Sequence, residues 1–281
     1  MLTTTIELHH QGKRLRVARL GAGPPIVCLH GYPDNLQVWS EIATVLAASH
    51  QVIAFDWPGM GYSEVWPGGA TPEHQAERLL NLLDNWQLER ASLLALDMGG
   101  QPALTFAAKY PQRTGSLVIM NSLVIPDEQT SWEIQLLREF GWNRFLLRWF
   151  PRAVFYRALH TFLPAEFRLS PELHGDFWNA FRRPEVRSFV SKMCAGYQGR
   201  LPLLPKFYGQ IQAPTLILWA EQDGHFPPSH ATQLHQQVRS SELKIIPGGR
   251  HWMPLYRSEE LGETIADFLA RTDVTMRQDA R

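Results

Sequence analysis

The stretch Leu94-Ala95-Leu96-Asp97-Met98-Gly99-Gly100 constrains this chain more than any other. The apolar run Ala91 to Leu96 has the make-up of a buried strand, and Met98 to Lys109 reads as a helix. Ala95 and Gly99 stand two residues before and after Asp97, so the strand can pass into the helix through a turn too tight for larger flanking side chains. This is the pattern of a nucleophile elbow, which lifts one side chain above a sheet edge, over the N-terminus of the next helix. Serine is the usual occupant. Here the lifted side chain is a carboxylate.

The flanking sequence alternates strands with helices. Thr4 to His9 and Lys13 to Leu20, joined through Gln11-Gly12, predict a hairpin. Ile26 to Leu29 and Gln51 to Phe55 are continuous apolar runs, as expected of strands buried on both faces. A helix is predicted over about Val38 to Ala48. Another starts at Thr71-Pro72-Glu73, with Thr as N-cap, Pro in the first position and an acid in the first turn. Leu117 to Met120 is a further strand, ending at Asn121. From Leu123 to Ile211 no strand signal occurs. Trp, Phe, Arg and Leu punctuated by Pro151, Pro164, Pro171, Pro184, Pro202 and Pro205 predict several short helices. Alternation then resumes with Thr215 to Trp219, a helix near Ser229 to Val238, the strand Leu243 to Ile246 and a helix from Ser258, with a frayed tail from Thr272. The expected class is α/β, a mostly parallel central sheet flanked by helices. Residues 1–122 and 213–281 form the core, and 123–212 an inserted helical cap.

Composition narrows the partners. The 281 residues carry 27 basic and 27 acidic side chains, so overall charge points to neither nucleic acid nor an anionic membrane. The N-terminal residues lack a basic, apolar leader, and no apolar run reaches the ~18 residues of a membrane span. A cytoplasmic protein is the expectation. Cys28 and Cys194, far apart, are expected to be inert core thiols.

Further motifs follow in order. His30-Gly31-Tyr32-Pro33 ends the third strand, Asp56-Trp57-Pro58-Gly59-Met60-Gly61-Tyr62-Ser63 the fourth, Asp223 follows the strand to Trp219, and Gly248-Gly249-Arg250-His251 follows the last strand. Together with the elbow they resemble the α/β-hydrolase fold, specifically its Asp-nucleophile branch of epoxide hydrolases and haloalkane or haloacid dehalogenases. The resemblance spans nearly the whole chain. It implies Asp97 as nucleophile, Asp223 as triad acid and His251 as base, in the fold's own order. It implies the backbone N–H groups of Tyr32 and Met98 as an oxyanion hole. Neither a cofactor nor a metal is implied.

The chemistry of a carboxylate in this seat is distinctive. With a reference pKa of about 3.9 it needs no base to activate it. Attack on an acyl carbon would give an anhydride. Attack on a saturated carbon bearing a leaving group gives a stable alkyl ester. Water activated by His251, oriented by Asp223, would then hydrolyse that ester. An epoxide oxygen leaves as a basic alkoxide and needs a proton donor. The resemblance puts that donor on a cap tyrosine: Tyr197 by its place near the cap's end, and Tyr156 as the other candidate. A halide needs only N–H donors, and Trp142 lies about where dehalogenases carry a halide-binding aromatic, although packing is its plainer role. Met98 has no side-chain N–H, which favours epoxide opening. Dehalogenation by the same two steps is the alternative, and a non-catalytic ligand receptor a third reading. The plainer readings are an Asp223 that shapes a turn, a His225 that is a decoy beside it, and a scaffolding His30. The expected partners are a small apolar substrate, epoxide or organohalide, and water. A homodimer is left open.

Overall fold

A computed structural model describes residues 1–126, 129–138 and 140–279, with the side chains of 137, 138, 140, 141, 143, 197, 198 and 274–279 outside the description. An eight-stranded sheet has the order β1-β2-β4-β3-β5-β6-β7-β8. Its strands are β1 (Thr5–His9), β2 (Lys13–Leu20), β3 (Pro25–Leu29), β4 (Gln51–Phe55), β5 (Ala91–Leu96), β6 (Thr114–Met120), β7 (Thr215–Ala220) and β8 (Ser241–Ile246). The hairpin β1–β2 and the β2–β4 pair are antiparallel, and every pairing from β4 to β8 is parallel. Every residue of β5, β6 and β7 is buried, in keeping with the apolar runs that make up most of each strand. Outer strands β1 and β8 alternate between exposed and half-buried positions.

Direction of travel sets the layers. From β3 the chain passes through α1 (Ser40–Leu46) to β4 on one side, then through α2 (Pro72–Asn85) back across to β5 on the other. Right-handed crossovers taken in opposite directions put their helices on opposite faces. Accordingly α1 packs with the last helix, α11 (Ser258–Asp279), whereas α2 packs with α3 (Gly100–Lys109). The reversal between β3 and β5 creates a crevice beyond their carboxyl ends, the usual ligand position in an open parallel sheet. Two of the motif loops, at Tyr32 and Asp97, end there. Thr71 caps α2 by accepting from the His74 N–H at 3.4 Å.

Between β6 and β7 the described chain is helical: α4 (Trp132–Arg138), α5 (Phe140–Trp149), α6 (Pro151–Phe162), α7 (Pro171–Phe181), α8 (Pro184–Arg200) and α9 (Pro205–Tyr208). Pro begins four of the six, α6, α7, α8 and α9, where its missing N–H costs nothing. The bidentate pair of Arg16 (β2) with Asp176 (α7), at 3.1 and 2.9 Å, ties this segment to the sheet. One boundary departs from expectation. The last helix runs on past Thr272 to Asp279, because Thr272 is buried against β6 and its Oγ1 accepts from Ser116 Oγ at 2.8 Å. Another helix, between β7 and β8, is α10 (Pro228–Gln237).

The tight strand-to-helix turn is enforced by contact. A Cβ on Gly99 would lie 2.3 Å from the Leu29 carbonyl oxygen, and one on Gly31 would lie 2.4 Å from Asp97 Cβ. The turn and the end of β3 therefore meet backbone to backbone. Gly99→Ala is expected to destabilise the fold by about 1–3 kcal/mol, since backbone must shift to admit the methyl. The fall in Tm, about 2–4 °C per kcal/mol at this size, would be read by thermal unfolding. An unchanged Tm would mean that the two loops are not in contact.

Candidate active site

Asp97 sits at the tip of the turn with φ of +52°, a left-handed conformation that costs a non-glycine residue about 1–3 kcal/mol. The neighbouring strand end holds it there. Its N–H donates to the Asn121 carbonyl at 3.2 Å, and its own carbonyl accepts from Ser122 Oγ at 2.5 Å. Its carboxylate is divided between two environments. Oδ1 accepts from the Met98 N–H at 2.5 Å and the Tyr32 N–H at 3.1 Å. Oδ2 faces His251 Nε2 at 3.2 Å, a close approach that is misaligned for a hydrogen bond.

His251, fully buried, is reached on its other edge by Asp223, whose Oδ2 lies 2.8 Å from Nδ1. An ionised carboxylate can only accept, so Nδ1 carries the proton. Asp223 Oδ1 accepts the backbone N–H groups of His225 at 2.8 Å and Phe226 at 3.0 Å. Burial works against ionisation of Asp223, but the His251 ring and these two donors outweigh it and hold its pKa below the ordinary value. Burial likewise opposes a charged His251, yet Asp223 and Asp97 together push its pKa up to about 10. The resting ring is thus an imidazolium between two carboxylates.

Asn121, at the end of β6, organises these parts. Its Nδ2 donates to the His251 carbonyl at 2.7 Å, and its Oδ1 accepts from the Ala220 N–H at 2.8 Å. Sequence reasoning marked it only as a strand end. Its signal was a polar Asn-Ser pair closing a strand of apolar residues. His30 is built into its loop: its Nδ1 lies 2.9 Å from the Gly31 carbonyl, and its Nε2 accepts the Trp57 N–H at 3.1 Å.

A cavity of about 270 Å³ opens over Asp97, lined from the core by Tyr32, Met98 and Gln101 and from the helices by Leu146, Val154 and Phe162 among others. His225 also lines it, but both ring nitrogens are engaged, with Ser131 Oγ at 2.7 Å and Thr161 Oγ1 at 2.8 Å. Arg157 lines it too, and donates to Glu133 through Nε at 3.0 Å. The cap candidates fare differently from the triad. Trp142 is 58% exposed and Tyr156 44% exposed, and neither lines the cavity, so the structure corrects both expectations. Their helices turn Leu146, Val154 and Arg157 inward instead. The Tyr197 side chain lies outside the described residues. Tyr32, expected to act through its backbone, also brings a buried hydroxyl that has no hydrogen-bond partner. Cys28 and Cys194 are unpaired and buried. Among the described residues no group of three His, Cys, Asp or Glu side chains could hold a metal, and no helix is long and apolar enough to cross a membrane.

The sequence model of the alpha/beta hydrolase fold family matches residues 24–258. The chain belongs to this family. Among curated α/β-hydrolase relatives, it is 27% identical to the 2-hydroxy-6-oxononadienedioate/2-hydroxy-6-oxononatrienedioate hydrolase of Comamonas testosteroni, over 92% of this chain and 91% of that one. It is also 27% identical to the 2-hydroxy-6-oxo-6-phenylhexa-2,4-dienoate hydrolase of Burkholderia cepacia, with the same coverage of 92% and 91%. Solved α/β-hydrolase structures share the fold. A Pseudomonas aeruginosa protein proposed to be an epoxide hydrolase superposes with a TM-score of 0.84 at 23% identity, covering 97% of this chain and 96% of its own. An esterase from Thermogutta terrifontis gives 0.79 at 24%, covering 97% and 99%.

The charge on His251 makes a thermodynamic prediction. Its pKa of about 10 in the folded chain exceeds the ~6.5 of an unfolded histidine. Its contribution to stability is therefore complete below about pH 6.5 and lost as pH rises through about 10. The stability difference between the native chain and His251→Gln, from urea unfolding, should shrink steadily over that range. A difference independent of pH would mean that the ring rests neutral.

Proposed function

We propose that this hydrolase opens small apolar epoxides to diols through an alkyl ester on Asp97. The observation that carries the reading is the position of Asp97 Oδ1, already bonded to both backbone donors, Met98 N–H and Tyr32 N–H. A substrate carbonyl awaiting acyl transfer would need that cradle for its own oxygen. Here an enzyme oxygen occupies it. Asp97 Oδ2 remains to attack carbon, and the ester so formed keeps Oδ1 as its carbonyl oxygen in the cradle. The second step then develops its negative charge where two donors already wait.

The steps balance as follows. Oδ2 forms a bond to one epoxide carbon as the C–O bond breaks, and the electron pair goes to the departing oxygen, which takes a proton. Among the described residues, the Tyr32 hydroxyl, buried and unpartnered, is the phenol that the lining offers. Ester formation removes the Asp97 charge and with it one of the two supports of the imidazolium. The His251 pKa then falls, its Nε2 proton passes through water to restore the Tyr32 phenolate, and Nε2 becomes able to take a proton from water. That water adds to the Asp97 carbonyl carbon, and collapse of the tetrahedral oxyanion breaks the ester C–O bond, the leaving oxygen taking the proton from His251 to complete the diol.

Reading residues 123–212 as a cap, the substrate is sized by the cavity. About 270 Å³ lies just below the ~300–1,000 Å³ of drug-sized sites, which fits a small ligand. The dienedioate and dienoate hydrolases that the chain resembles are named for carboxylate substrates. In this cavity Arg157 is already paired with Glu133, which argues for a neutral substrate. Displacement of halide by the same route is the second reading. It has less support, because Met98 lacks a side-chain N–H and the Gln101 amide already donates to the Leu123 carbonyl at 2.9 Å.

The test is a trapped intermediate. His251→Gln incubated with a panel of epoxides and alkyl halides should accumulate a covalent adduct on the peptide containing Asp97, seen by mass spectrometry. An epoxide adds its whole mass, and an alkyl halide adds its mass less HX. Adducts from halides alone would replace the epoxide reading with the dehalogenase one. No adduct from any panel member, with the variant folded, would sink the covalent mechanism.

A further inference from the structure

The outer surface of the helical segment bears a feature that the proposed reaction does not use. Of the seven exposed aromatic side chains among the described residues, six lie between 132 and 156: Trp132, Trp142, Phe145, Trp149, Phe150 and Tyr156. Trp142, Phe145 and Trp149 are spaced three and four apart, so they share one face of α5. They are 58%, 47% and 62% exposed, and Phe150 follows at 51%. Ring contacts join three of them, Trp142 to Phe145 at 6.5 Å and Phe145 to Phe150 at 5.8 Å, and Trp149 extends the ridge along the same face. The opposite face of α5 already packs inward through the buried Leu147, and Leu146, at the flank of the ridge, lines the cavity. A helix apolar on both sides is packed on one and unpartnered on the other.

Charge selects the occupant. Residues 140–163 contain Arg144, Arg148, Arg152 and Arg157 and no acidic residue. Across 123–212 there are twelve basic against eight acidic side chains, and in the rest of the chain fifteen against nineteen. The overall balance that argued against an anionic membrane therefore conceals a basic helical segment and an acidic remainder. The Arg148 guanidinium lies 5.2 Å from the Trp149 ring centre, and that of Arg152 lies 5.6 Å from the Tyr156 ring. Interleaved arginine and Trp or Phe is the composition that settles at a bilayer surface, rings among the headgroups and cations against anionic lipid. A second copy joined by a two-fold axis would set this basic face against itself.

We propose that the ridge of α5 and the start of α6 docks onto an anionic lipid bilayer. The inner sides of the same two helices line the cavity through Leu146, Ala153 and Val154. Docking would thus place the cavity wall against the phase in which apolar molecules dissolve. That last consequence rests on the proposed apolar substrate. The docking itself does not.

The experiment is co-sedimentation of the full chain with vesicles of phosphatidylcholine mixed with phosphatidylglycerol, and with phosphatidylcholine alone. The native chain should pellet with the mixed vesicles at low salt and much less with the neutral ones. Trp142→Ser/Phe145→Ser/Trp149→Ser should lower the bound fraction about tenfold. Arg148→Glu/Arg152→Glu, which leaves the ridge in place and guards against misfolding of the first variant, should do the same. Failure of the native chain to pellet with anionic vesicles would overturn the proposal. So would equal pelleting by the folded variants. Self-association of the native chain in sedimentation velocity, abolished by the triple substitution, would make a second copy the occupant instead. None of these outcomes depends on turnover, so they separate from the adduct test.

Discussion

Two backbone N–H groups converge on one oxygen of Asp97, and the organisation of the site follows from that convergence. One donor, Met98, comes free with the turn, since it begins the helix. The other, Tyr32, belongs to a loop 65 residues earlier and reaches Oδ1 because β3 and β5 are neighbours in the sheet. The strand order, the close contact at Gly31 and Gly99, and the left-handed backbone of Asp97 all serve to bring those two loops within hydrogen-bond distance. The strain at Asp97 is over-determined by the Asn121 and Ser122 hydrogen bonds on one side and the cradle on the other.

Electrostatics then separates the roles of two buried carboxylates. Asp223 is bonded to His251 and to two backbone N–H groups, so it stays ionised and fixes the ring. Asp97 spends one oxygen on donors and leaves the other against the imidazolium. In the proposed mechanism only Asp97 changes its charge. The histidine senses that change through Coulomb interaction, so the base becomes available after the ester exists and not before.

What could be read from residues alone followed the strength of local rules. Strands such as Leu117 to Met120 and Thr215 to Trp219 were legible because a strand buried on both faces has little choice of residue. The elbow and the two loops around it were legible because close backbone approach demands glycine. The chain order of Asp97, Asp223 and His251 singled out three residues that the fold brings together. The helical segment was legible as helical, from its prolines, but not in orientation. Which side of α5 faces the cavity depends on how several short helices stack, and both sides of that helix are apolar. Trp142 and Tyr156 were therefore assigned inward and lie outward. Asn121 escaped notice for a related reason: its partners at Ala220 and His251 are about a hundred residues away or more, beyond any local pattern.

Asn121 carries one more implication. Through its backbone and its side chain it cross-links the ends of β5 and β7 and the loop of His251, and every one of these lies at the carboxyl edge of the sheet. Among the described residues, the helices that shape the cavity contribute none of its bonds. Substrate preference can therefore drift in evolution, by exchange or resculpting of the intervening helices, while the reacting atoms keep their spacing.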